Sequence, residues 1–233
     1  MIVHKILSLA TAGCLIALLV ACTGQSTATE LAFAVSFTES LDMESLDGRI
    51  ILIVTDRQEP EPRFQVSAGI DAAQVFGLDV EAFESDSTAV IGSDVLGFPL
   101  ENLAAIPPGD YYVQAVLHKY ETFTLANGKT VKLPMDRGEG QRWNRAPGNL
   151  YSTPQKIRVD PTRDGNISIE LDQVISPIPE PEDTKYVKHI RIQSDLLTEF
   201  WGRPMHLGAH VLLPEGFDRH PNARYPLLIF HGH

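Results

Sequence analysis

From residue 31 onward, short runs of alternating apolar and polar residues recur between turn signals, the period-two signature of half-buried strands. Leu31, Phe33, Val35 and Phe37 fall on one face of the first run. Residues 49–55 form a near-continuous apolar strand after an Asp47-Gly48 turn, and further strands are expected over 64–66, 74–80, 88–91, 155–159 and 166–171. The last two are joined around Asp164-Gly165. Asn127-Gly128 marks a hairpin between 122–124 and 130–132, because that dipeptide accepts the positive φ of tight turns. Helical periodicity is scarce; residues 72–75 and 100–105 are expected to make a turn or two each. This spacing predicts a mainly β chain whose first domain, residues 31–174, is an antiparallel β-sandwich.

After that domain the pattern breaks. Residues 175–184 carry Pro177, Pro179 and Pro181 beside three acids, a composition that favours a semi-rigid spacer over a sheet interior. Strand-like runs then return at 190–194 and 207–213, and the apolar run after Tyr225-Pro226 reads as a buried strand ending in the His231-Gly232 turn. Residues 185–233 are too few to close a core of their own.

The amino terminus reads as targeting sequence. Lys5 precedes an apolar stretch over 6–20, and Leu19-Val-Ala-Cys22 matches the lipobox of bacterial lipoproteins. Residues 1–21 are therefore expected to be a signal peptide, with lipid on Cys22 and a polar tether over 22–30. The expected location is the cell envelope, on the periplasmic side or at the outer membrane, with lipid as the membrane contact. The only other cysteine is Cys14, so the domain after residue 22 has no disulfide and no thiolate site. A net charge of −11, with no basic stripe, argues against a nucleic-acid partner.

Candidate chemistry is sparse. His206 and His210 share a strand face and His231 and His233 lie further along, but no acid accompanies them at metal-ligand spacing, so no metal and no cofactor is expected. Asp160 and Asp164-Gly-Asn166 read as a hairpin turn rather than a calcium loop. The long loop over 133–152 interleaves Arg137, Arg142 and Arg145 with Trp143 and Tyr151. Arg and Trp anchor interfaces, so Arg142, Trp143, Arg145 and Tyr151 are candidates for an interdomain or substrate-facing surface.

Two resemblances follow from these motifs. Pro108-Gly-Asp-Tyr111 opening an alternating strand resembles the corner that precedes a central strand of immunoglobulin-like sandwiches. Residues 186–233 resemble the opening of an esterase of the α/β-hydrolase superfamily. The motifs are Trp201-Gly-Arg-Pro-Met-His206 leading into a strand, Pro214-Glu-Gly-Phe217, Tyr225-Pro226 and the His231-Gly232 corner. Phe217 stands where such esterases carry tyrosine. The resemblance implies a serine carboxylic-ester hydrolase in which His231-Gly232 lies near the oxyanion donors. It also implies that the sandwich packs on the hydrolase domain. No Gly-x-Ser-x-Gly occurs in residues 1–233. The expectation is thus the start of a hydrolase domain, inactive alone, with its nucleophile encoded beyond residue 233. The alternative is a non-catalytic, Ig-like surface lipoprotein that binds a partner or glycan.

Overall fold

The computed structural model describes residues 30–231 apart from Met43 and Asp164. The expected signal peptide, lipidated Cys22, most of the tether, the Gly232 half of the His-Gly corner and Asp164 of the expected turn lie outside the described residues. Mainly antiparallel sheets dominate the remainder. One has three strands in the order β11 (Asn166–Leu171), β1 (Ala32–Phe37), β4 (Ala89–Ile91). The other runs β12 (Gln173–Val174), β9 (Leu150–Tyr151), β6 (Gly109–Lys119), β2 (Leu46–Thr55), β3 (Gln74–Phe83), β5 (Gly97–Phe98), with β10 (Gln155–Val159) also on β6. One pair departs from the antiparallel rule: β1 and β11 run parallel, Phe33 opposite Ile167 and Val35 opposite Ile169.

The predicted alternation decides the core. Phe33, Val35 and Phe37 of β1 turn inward with Ile91 and Ile169, and they meet Ile50, Leu52 and Val54 of β2 and Val113, Ala115 and Leu117 of β6. Phe37 and Phe83 pack edge to face, ring centroids 5.2 Å apart. Gly97 is required where β5 crosses Phe76: a Cβ there would sit 2.4 Å from the phenyl ring and 2.6 Å from the Leu100 carbonyl. The Tyr111 hydroxyl donates 2.8 Å to the Pro107 carbonyl, pinning the turn that opens β6.

Three local expectations are corrected. Residues 64–66 form no strand; Pro62–Phe64 is a single 3-10 turn, because Pro62 fixes φ at its start. Residues 72–75 are not helical either, since Gln74 and Val75 already pair with Val54 and Ile53 of β2. The apolar run after Pro226 pairs with nothing in the sheets, and Leu227, Leu228, Ile229 and Phe230 are 78 to 91 % exposed.

Beyond the proline-rich stretch, β13 (Val187–Gln193) and β14 (His206–Leu212) form an antiparallel pair joined through the helix α1 (Asp195–Trp201). Ser194 caps α1 by accepting the Leu197 amide, and Gly202 ends it in the left-handed conformation at φ 67°. Among the described residues no helix is long and apolar enough to cross a membrane.

Phe33→Ala removes a fully buried ring from the meeting point of both sheets. Urea denaturation should show a loss of about 3–5 kcal/mol with an unchanged slope.

Candidate functional site

The strand β6 has both faces covered, and this places the long loop. On the outer side of β2 and β6, Ile53, Ala73 and Val116 are buried with Trp143 packed against them and with Tyr151, which the structure places on strand β9, beside Val116. Buried polar side chains hold that cover down. Gln114 accepts the Arg63 amide at 2.9 Å and donates to the Ser152 carbonyl at 2.8 Å. Asn149 accepts the Lys119 amide at 3.0 Å and donates to the Trp143 carbonyl at 2.8 Å. The Arg63 guanidinium lies 4.1 Å over the Tyr151 ring, and Arg145 lies 5.2 Å over Phe64. Arg142 is exposed, and its carbonyl receives the Arg145 amide. Trp143, Arg145 and Tyr151 thus lie against β2, β6 and residues 63–64, whereas Arg142 is exposed. Beside Trp143 runs a groove of about 300 Å³ floored by Val75 and Gly77 and walled by Phe98.

A larger cleft, about 670 Å³, opens between residues 136–138 and the β13–β14 pair. Strand register builds its polar wall. His189 faces His210 directly, Arg191 faces Gly208 and Gln193 faces His206, so these side chains share one face of the pair. The His189 and His210 rings meet edge to face at 4.7 Å. Asp183 accepts the His189 amide at 2.8 Å and lies 3.3 Å from its Nδ1. That backbone donor, with Lys188 nearby, holds the Asp183 carboxyl below its ordinary range. The shared face of His206 and His210 is legible in the sequence. His189 and Asp183 are not among the sequence candidates, although the same parity count over 187–193 aligns His189 with the pair.

The arrangement carries polar recognition groups but no assembled nucleophile. Ser194 is occupied as the cap of α1, and among the described residues no three His, Cys, Asp or Glu side chains are grouped to hold a metal. His231 lies at the end of the described chain, past the unpaired apolar run. Comparison with protein-family models, with curated proteins and with solved structures finds no match.

On β6 itself, His118 packs edge to face on Tyr120 at 5.6 Å. Burial holds its imidazole below the ordinary 6.5; the nearby Glu139 carboxylate opposes that shift and Arg137 adds to it. The unfolded chain thus takes up this proton first as pH falls. The stability from burying a neutral ring is complete above the free-imidazole range and is lost as pH drops toward the folded value. Between about pH 7 and about pH 5 the unfolding midpoint should fall less steeply in His118→Gln than in the parent chain, when denaturant titrations are repeated across that window.

Proposed function

We propose that this chain is the amino-terminal part of an exported, lipid-anchored esterase of the α/β-hydrolase superfamily. In this reading residues 31–174 are an Ig-like sandwich, 175–184 a spacer and 185–233 the opening of the hydrolase domain. The observation that carries it is bare apolar surface. Ile190, Ile192 and Leu207 lie exposed on one face of the β13–β14 pair, and the run 227–230 is almost wholly exposed. Solvent-exposed strands of that composition are an aggregation hazard unless a sheet neighbour or a flanking helix covers them. Parallel sheets covered by helices on both faces use such continuous apolar strands. The esterase motifs fall in the same stretch, and Tyr111 bonding back to Pro107 supports the Ig-like corner.

The chemistry proposed is acyl transfer to a serine. That serine would sit on a strained turn after a buried strand, with a histidine as base and an acid orienting it. The backbone at His231-Gly232 would lie near the developing oxyanion. Residues 31–233 would contribute the scaffold and that corner, and the sandwich would attach the enzyme to its membrane through Cys22.

A second reading, a non-catalytic lipoprotein binding a glycan or partner, draws on the groove between Trp143 and Phe98 with Arg49 at its margin. Aromatic walls with one guanidinium suit a ring-bearing ligand.

Residues 22–233 should hydrolyse an aryl ester at background rate and take no fluorophosphonate label. A longer product read in frame past His233 should contain Gly-x-Ser-x-Gly, show both activities and lose both when that serine becomes alanine. A labelled serine within residues 30–231 would sink the reading, as would a longer product without the motif.

A further inference from the structure

The hairpin β7 (Glu121–Thr124) and β8 (Thr130–Leu133) stands apart from both large sheets as its own two-stranded sheet. It touches the sandwich on one side and Trp201 and Arg203 on the other. Lys132 ties it to the sandwich, 3.0 Å from Asp47 and 3.5 Å from Glu81. Asp47 also accepts the Ala82 amide at 3.0 Å, and that bond, followed by Lys132, holds its carboxyl below the ordinary range. On the opposite side Glu121 is shared between two guanidinium groups. Arg137 reaches it at 2.6 Å and Arg203 at 2.7 Å, from opposite sides of the proline-rich stretch in sequence.

Apolar contact reinforces the shared carboxylate. Phe123 meets Trp201 edge to face at 5.5 Å, and the Arg203 guanidinium lies 5.6 Å over the Phe123 ring. Arg203 also approaches the Met135 sulfur at 3.5 Å. The geometry depends on Gly202, whose left-handed backbone ends α1 and turns Arg203 back toward the hairpin. Arg137 is braced in turn, its amide donating to Glu139 at 2.7 Å.

We propose that β7–β8, with Met135 and Arg137, is the docking seat for the second module. Trp201 and Arg203 are its plugs, and Glu121 is the carboxylate that sets the orientation between the sandwich and everything after residue 184. The proline-rich stretch then spans a fixed separation instead of a free hinge. A carboxylate flanked by two guanidiniums and an aromatic edge is directional, which distinguishes this seat from a merely apolar patch. The seat rests on the esterase reading only in naming the second module a hydrolase; the contacts themselves join two parts of this chain.

The protein reports on this seat through its own indoles, since Trp143 and Trp201 are the only two. In the full chain carrying Trp143→Phe, acrylamide quenching reads Trp201 alone. Glu121→Gln and Arg203→Met should each raise the quenching constant about twofold by populating an undocked state, without changing the urea midpoint of the sandwich. Arg203 lies outside the sandwich, so its substitution leaves that core intact. Quenching equal to the parent in both variants overturns the proposal. So does a matching fall in the sandwich midpoint, which would make these contacts part of the sandwich's own stability. Neither result bears on whether a serine lies past residue 233, so the two readings fail separately.

Discussion

The strand β6 is covered on both faces, and most of the architecture answers to that constraint. Its Val113, Ala115 and Leu117 face the core between the sheets, while Val116 faces the opposite way and is equally buried. A strand in that position cannot leave polar groups unpaired, because each orphaned donor or acceptor costs about 1–3 kcal/mol. Gln114 therefore has to find partners in the loops that cover it, and it does so at Arg63 and Ser152. Loop residues 56–73 and 134–149 are long because they form the second roof over β2 and β6. Arg63, stacked between Phe64 and Tyr151, joins the two parts of that roof.

Charged groups then decide where the remaining chain goes. The ion pairs at Glu121 are partly exposed, so each contributes little by itself. Their value lies in direction. One carboxylate accepts from the loop that roofs β6 and from the turn after α1, so the placement of the carboxyl-terminal segment follows from a loop ordered by the core of the two large sheets. The cleft lined by His189, His206 and His210 exists because that segment is held against residues 136–138. Core burial thus propagates, through one loop and one hairpin, to a concave polar surface shared by both parts.

Much of the two large sheets is legible in the sequence because its signal is local. Alternation over residues 31–37 predicts which side chains are buried, and Asn127-Gly128 marks the hairpin that forms. Two-residue strands such as β5 and β9 are too short to carry a period, and they exist only because β3 and β6 offer an edge. The helix α1 escapes a periodicity count although Ser194 and Gly202 bracket it, a cap at each end around a run with few breakers. The 3-10 turn at Pro62–Phe64 replaces an expected strand because Pro62 fixes φ at its start, and it leaves the Phe64 ring beneath Arg63 and Arg145. Composition marks Arg142, Trp143, Arg145 and Tyr151 as a surface for another domain. Trp143 packs over Ile53 and Val116 of the larger sheet, and Tyr151 stands beside Val116 as its partner on β9, places that composition cannot reveal.

Sequence alone determined the strand period, the turn positions, the proline-rich break and the absence of a Gly-x-Ser-x-Gly elbow in residues 1–233. Those are properties of neighbouring positions, set by backbone sterics and the spacing of apolar side chains. Tertiary structure alone decided that β1 pairs parallel with β11, that Glu121 faces both Arg137 and Arg203, and that His189 meets His210. These partners are far apart along the chain, and nothing local encodes a pairing that is chosen by which surfaces bury each other best.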